Sequence, residues 1–160
     1  MDHVKKWHIL LQQKTKINIS VNNEEAFRRA ALNGHLKVLK FLLDIKKNIN
    51  ISAYNEEAFR NATLNGHLPV LEFLLQQKQN INISANDEEA FRNTTTSGHF
   101  SILKILLKIK PNINLQFLNL SIYKNHNQIV QTILKYQTIN YRIISQENLN
   151  YTPKHYLITF

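Results

Sequence analysis

The stretch "NEEAFRNATLNGHLPVLEFLLQQKQNINIS", residues 55–84, decides the fold because it is one of three near-copies. "NEEAFRRAALNGHLKVLKFLLDIKKNINIS" stands at residues 23–52 and "DEEAFRNTTTSGHFSILKILLKIKPNINLQ" at 87–116. The period is 32 residues, the spacing of Gly34, Gly66 and Gly98, which are the only glycines in the chain. Self-similarity at such a period marks a stacked architecture, in which a unit too small to bury its own apolar face is covered by its neighbours. With all three glycines in one slot, no glycine-rich phosphate loop remains to be found.

Each copy reads as two short helices. Asn23, Asn55 and Asp87 stand where an N-cap belongs, and the glutamate pairs behind them suit the positive end of a helix. Ala26, Phe27 and Ala30, with their counterparts one period on, make a narrow apolar stripe. The glycines then end this helix as left-handed caps. A second apolar pattern follows (Leu36, Val38, Leu39, Leu42 and Leu43 in the first copy), closed by a lysine and asparagine stretch. The "NIN" leads, extended, to the next unit.

The pattern runs past these copies. "DHVKKWHILLQQKTKINIS" from Asp2 matches the second helix of a unit, and "KNHNQIVQTILKYQTIN" from Lys124 matches another with Asn125 in the glycine slot. The spacing there has fallen by five residues, lost between Asn114 and Phe117. The register therefore predicts one array over 1–160: a partial repeat at 1–16, clean repeats at 17–48, 49–80 and 81–112, a shortened repeat at 113–138 and a partial one at 139–160.

Helix-turn-helix units joined by an extended loop, with "GHL.VL.FLL" in the second helix, resemble the ankyrin repeat. The likeness covers almost the whole chain and is most specific from Gly34 to Leu43. The opening Thr-Pro-Leu-His of the family reads Glu57, Ala58, Phe59 and Arg60 here, and only Thr152, Pro153, Lys154 and His155 keep the usual form. Lysine (Lys46, Lys78, Lys110) replaces the glycine usual after the second helix. The resemblance implies an all-α ankyrin-repeat solenoid of stacked helix-turn-helix units. Asn/Ile/Lys-rich arrays of this style also resemble those of large DNA viruses and intracellular bacteria, so a cytoplasmic protein is expected, in the host cell for that origin.

Composition closes several functional classes. The chain has no cysteine, which excludes disulfides, thiolate metal sites and cysteine nucleophiles. No segment approaches the roughly 20 apolar residues of a membrane span. Seven Asn-x-Ser/Thr triplets, at Asn18, Asn50, Asn61, Asn82, Asn93, Asn119 and Asn150, follow from an asparagine-rich composition. His35, His67 and His99 recur a repeat apart, too far for one metal whose imidazole ligands lie at about 2 Å, and read as structural hydrogen-bonding groups. Arg28, Arg60 and Arg92 sit at helical spacing from glutamates, in the place of the family's motif histidine, and read as a ladder between repeats. Phe27, Phe59 and Phe91 read as core. Nothing here composes a catalytic set, so no enzyme, cofactor or metal is expected.

The function expected is binding of another protein, through the concave surface that the family builds from loop tips and first helices. The family's variable positions fall on Val21, Asn22, Glu24, Leu32 and Asn33, then Ala53, Tyr54, Glu56, Leu64 and Asn65, then Ala85, Asn86, Glu88, Thr96 and Ser97. Tyr54 is the favoured anchor, and Glu24, Glu56 and Glu88 would form an acidic ladder favouring basic or amide-rich contacts. The net charge of +9 sits at the two ends, with +6 from Phe100 to Phe160 (six Lys, one Arg, one Glu). This offers an alternative, electrostatic binding of nucleic acid or anionic membrane through the basic carboxyl third. Trp7, Leu10 and Leu11 belong to a helix without its partner, a surface suited to self-association.

Overall fold

A computed structural model describes residues 20–78, 80–114 and 116–147, with side chains described as far as residue 137. Trp7, Leu10 and Leu11, the partial repeat at 1–16 and the terminal Thr152 to His155 lie outside these residues. Among the described residues there are eight helices and no strand: α1 (Val21–Leu32), α2 (Leu36–Ile45), α3 (Ala53–Leu64), α4 (Leu68–Gln77), α5 (Ala85–Ser97), α6 (Phe100–Ile109), α7 (Gln116–Tyr123) and α8 (Asn127–Glu147). The fold is all-α, and the helices pair as the repeat pattern requires in α1 with α2, α3 with α4 and α7 with α8. The chain divides into two compact units between Ala90 and Phe91, inside α5.

In the first unit α1 packs on α2 and α3, α3 on α4, and α2 touches α4. Phe27, Ala30 and Ala31 are buried on α1, and Ala58, Phe59 and Ala62 on α3. The alanines leave room for the helices to approach closely, while each phenylalanine supplies the bulk between them. Leu39 and Leu42 of α2, and Val70, Leu71 and Leu74 of α4, bury the facing stripe; Val38 instead points to solvent. Pro69 stands in the first turn of α4, where its missing N–H leaves no hydrogen bond unmade.

Gly34 ends α1 at a φ of +71°, and behind it the His35 amide donates to the Ala30 carbonyl at 2.8 Å, a left-handed cap as the sequence implies. Packing imposes a second demand. A Cβ at residue 34 would lie 2.7 Å from Nδ1 of His67, because the imidazole of the next repeat lies directly on the glycine. Its Nε2 is 3.0 Å from the Leu32 carbonyl oxygen, so the expected structural role of this histidine is a latch between repeats.

The helix starts differ from the sequence reading. Asn23, Asn55 and Asp87 are not N-caps. Each lies in a run of three left-handed residues (Asn22, Asn23 and Glu24; Tyr54, Asn55 and Glu56; Asn86, Asp87 and Glu88) with φ between 53° and 63°. The run is closed by the amide of Glu24, Glu56 or Glu88 donating to the carbonyl of Ser20, Ser52 or Ser84, at 3.4, 3.2 and 3.1 Å. Regular helix starts only after it. Asparagine and aspartate tolerate this conformation through local hydrogen bonding, and that tolerance favours them there more than capping does.

In the second unit Phe91 stacks on Phe117 at 6.0 Å with 24° between the rings, and α8 packs on α6 and α7. Ile102, Leu103, Leu106 and Leu107 of α6 and Ile129 and Ile133 of α8 are buried. The five missing residues correspond to the left-handed turn itself: Asn114 Oδ1 accepts the Gln116 amide at 3.0 Å, as Asn50 does for Ser52 and Asn82 for Ser84 at 3.1 Å each, and α7 then starts at once. The rest of the shortened repeat keeps register. Asn125 takes the glycine slot with φ 57°, and His126 Nε2 reaches the Thr96 carbonyl at 3.1 Å while its ring covers Gly98.

Helix α8 runs on past residue 138 to Glu147. In the full repeats the second helix stops at a lysine, Lys46 or Lys78, whose Nζ pairs with Glu24 or Glu56. The deletion removes that glutamate and Gln137 replaces the lysine, donating instead to the Ile113 carbonyl at 3.1 Å. No Gly or Pro occurs between Gln137 and Glu147 to end the helix sooner.

Phe59→Ala is expected to cost roughly 3–5 kcal/mol, read as a lowered urea midpoint; an unmoved transition would contradict its place in the core. Gly34→Ala should destabilise by more than the roughly 1–2 kcal/mol of the left-handed backbone alone, and adding His67→Ala should recover part of that loss.

Candidate partner-binding surface

The exposed face of the first unit is organised by two arginines. Arg28 donates from Nε to the Asn23 carbonyl at 3.0 Å and from Nη2 to the Asn22 carbonyl at 2.9 Å, and its Nη1 pairs with Glu57 of the following repeat. Arg60 does the same one period on, with Asn55 at 2.9 Å, Tyr54 at 3.0 Å and Glu89 as its acid. A planar guanidinium with donors in three directions satisfies two carbonyls of the strained turn and one carboxylate at once, which lysine cannot do. The inter-repeat ladder read from the sequence is present for both residues; the partner is the glutamate of the next unit, not one on the same helix.

Tyr54 is held from two sides. Arg60 fixes its carbonyl, and the Arg28 guanidinium lies over its ring at 4.4 Å, a cation–π contact. The ring is still 55% exposed. It forms one wall of a cavity of about 450 Å³ whose other lining residues are Ser20, Asn23, Glu24, Asn50 and Ala53.

Of the positions expected at the surface, Val21, Asn22, Asn33, Tyr54, Leu64, Asn65, Asn86 and Ser97 are exposed, and Leu32, Glu88 and Thr96 are half-buried. Ala53 and Ala85 are buried, as are Glu24 and Glu56, at 6% and 4% exposure. The acidic ladder is thereby corrected. Glu56 Oε1 accepts from Ser52 Oγ at 2.7 Å, Lys78 Nζ at 2.8 Å and the Asn82 amide at 3.2 Å. Glu24 meets Ser20 Oγ at 2.6 Å, Lys46 Nζ at 3.3 Å and the Asn50 amide at 3.4 Å. Each carboxylate ties its own turn to the end of the second helix and to the connecting loop. Its signal was in the sequence, since lysine recurs a fixed interval after this glutamate, in the slot where the family keeps glycine.

The half-buried Glu25 carboxyl is held below the usual range by the hydrogen bond from Asn22 and then by the Arg29 guanidinium at 2.6 Å. Asn65 Nδ2 reaches the Leu32 carbonyl at 3.1 Å, which joins two expected positions across repeats. Thr63 and Thr95, hydroxyl members of two Asn-x-Thr triplets, are fully buried and bond helix carbonyls. Among the described residues no group of three His, Asp or Glu side chains is placed to hold a metal, and no helix is long and apolar enough to cross a membrane.

A family model described as ankyrin repeats, in three copies, matches residues 3–87, more than half of the 160. No curated protein matches the chain.

Because Glu56 is buried among its donors, Glu56→Gln should lower unfolding stability by roughly 2 kcal/mol, less than a fully enclosed pair because Lys78 is about one-third exposed. Asp44→Asn, which breaks the open surface pair with Lys47, should leave the urea midpoint unmoved; equal effects would show that burial is not what matters.

Proposed function

Because the chain belongs to the ankyrin-repeat family, whose repeats serve as protein–protein interaction modules, we infer that it is a non-enzymatic binding module that seats a partner protein on the loop tips and first helices around Tyr54. The observation that carries this reading is the holding of Tyr54: its carbonyl fixed by Arg60, its ring fixed over Arg28, and the ring open to solvent. An aromatic ring immobilised before contact loses little entropy on binding. Val21, Asn22, Leu64 and Asn65 stand exposed in the same unit and supply apolar surface and amides. With Glu24 and Glu56 spent inside the repeats, the partner need not be basic. It meets an aromatic and amide surface, and its complement is an apolar or planar side chain flanked by hydrogen-bonding groups.

Tyr54→Ala should keep the helical circular dichroism of the wild type and weaken partner capture by about 2 kcal/mol or more, at low and high salt alike. Recovery of the same proteins by the variant in a parallel pull-down would refute the assignment.

A further inference from the structure

The second helices of consecutive repeats enclose a cleft that recurs in each unit. In the first unit it lies between α2 and α4 and is lined by Lys40, Leu43, Asp44, Lys47, Phe73 and Gln77. In the second it lies between α6 and α8, has a volume of about 500 Å³, and includes Phe100, Lys104, Leu107, Lys108, Lys135 and Tyr136. The two are register-equivalent. Lys104, Leu107 and Lys108 stand two full periods after Lys40, Leu43 and Asp44, and Lys135 and Tyr136 follow Gln76 and Gln77 by one full and one shortened period.

The walls share Lys40 with Lys104 and Leu43 with Leu107 but differ elsewhere, with Thr132 where Phe73 stands and Tyr136 where Gln77 does, and the charge differs too. In the first cleft Asp44 pairs with Lys47 at 3.2 Å, and Lys40 lies over the Phe73 ring at 5.8 Å. In the second, Asp44 has become Lys108 and Gln76 has become Lys135, while Glu72 of α4 has become Gln131. No Asp or Glu occurs between Glu89 and Glu147. All three lysines are exposed. The first rim carries one carboxylate for its two lysines, Lys40 and Lys47; the second carries three lysines and no carboxylate, with Pro111 where Lys47 stands.

We propose that the α6–α8 cleft binds an acidic segment of a partner protein, its carboxylates on Lys104, Lys108 and Lys135 and an apolar side chain against the half-buried Tyr136. Charge complementarity sets the sign of the ligand, and the shape selects its class. The cations ring a concave hollow large enough for a buried side chain; they do not track along a surface as a nucleic-acid backbone requires. Phe100 already has Lys104 over its ring at 5.4 Å. A membrane surface takes projecting apolar groups, whereas these are recessed. The site is separate from the one around Tyr54, and Tyr54→Ala leaves it intact.

The test is fluorescence anisotropy of a labelled glutamate–leucine peptide with the full chain and with K108D/K135Q, which places at these two positions the residue types of Asp44 and Gln76 in the first unit. Both positions are exposed, so the helical signal should be retained. Affinity should fall by roughly tenfold or more, while K37D/K47Q, the same change of net charge made elsewhere, leaves it unchanged. Equal loss in both variants, no loss in K108D/K135Q, or tighter binding of a single-stranded oligonucleotide or phosphatidylserine vesicles than of the peptide would each overturn the proposal.

Discussion

The guanidinium of Arg28, and that of Arg60 one repeat later, is the interaction on which the exposed face depends. The three-residue left-handed turn before each first helix carries a backbone cost of about 1–2 kcal/mol per residue and leaves carbonyls pointing away from any helix ladder. Nε and Nη2 satisfy two of them, and Nη1 carries the same side chain to the glutamate of the next unit. Holding the turn and joining the repeats are therefore one act. A residue with a single point charge could do either and not both.

A second constraint acts on the opposite end of the first helix. His67 lies on Gly34 and bonds the Leu32 carbonyl; His126 lies on Gly98 and bonds the Thr96 carbonyl. Glycine is demanded there by its left-handed φ and by the imidazole that takes the place of a side chain. Within each repeat the buried Glu24 or Glu56, with Ser20 or Ser52 and Lys46 or Lys78, adds a third tie. All three use polar groups at fixed places in the period, which is why so charged and histidine-bearing a motif is scaffolding.

The sequence carried the helix pairing, the glycine caps and the phenylalanine core because each rests on local periodicity or on one residue's backbone freedom. It also located the arginine ladder. The left-handed turn was not legible: asparagine followed by two glutamates is equally good chemistry for a helix start, and only packing against the loop decides between them. The burial of Glu24 and Glu56 was signalled only by the lysine that recurs 22 residues after each, because a carboxylate's exposure depends on whether such a distant cation reaches it. The length of α8 was obscured by the lost anchor, as "TIN" at 138–140 looks like the "NIN" that elsewhere ends a repeat.

The shortened repeat separates what stacking requires from what it does not. It has lost the left-handed turn with its glutamates, and Asn119 stands where Arg28 and Arg60 do, yet it keeps the asparagine turn, the histidine latch and the buried apolar pair of α7. Phe117 and Leu118 fill the space of an alanine and a phenylalanine, so core volume is redistributed and not lost. Where the strained turn is kept, its arginine and glutamate ties offset its backbone cost; where both are lost, the fold omits it. The turn's remaining consequence is geometric: it projects Asn22, Tyr54 and Asn86 from the loop tips, and in the one copy where that residue is aromatic, two arginines hold it in place.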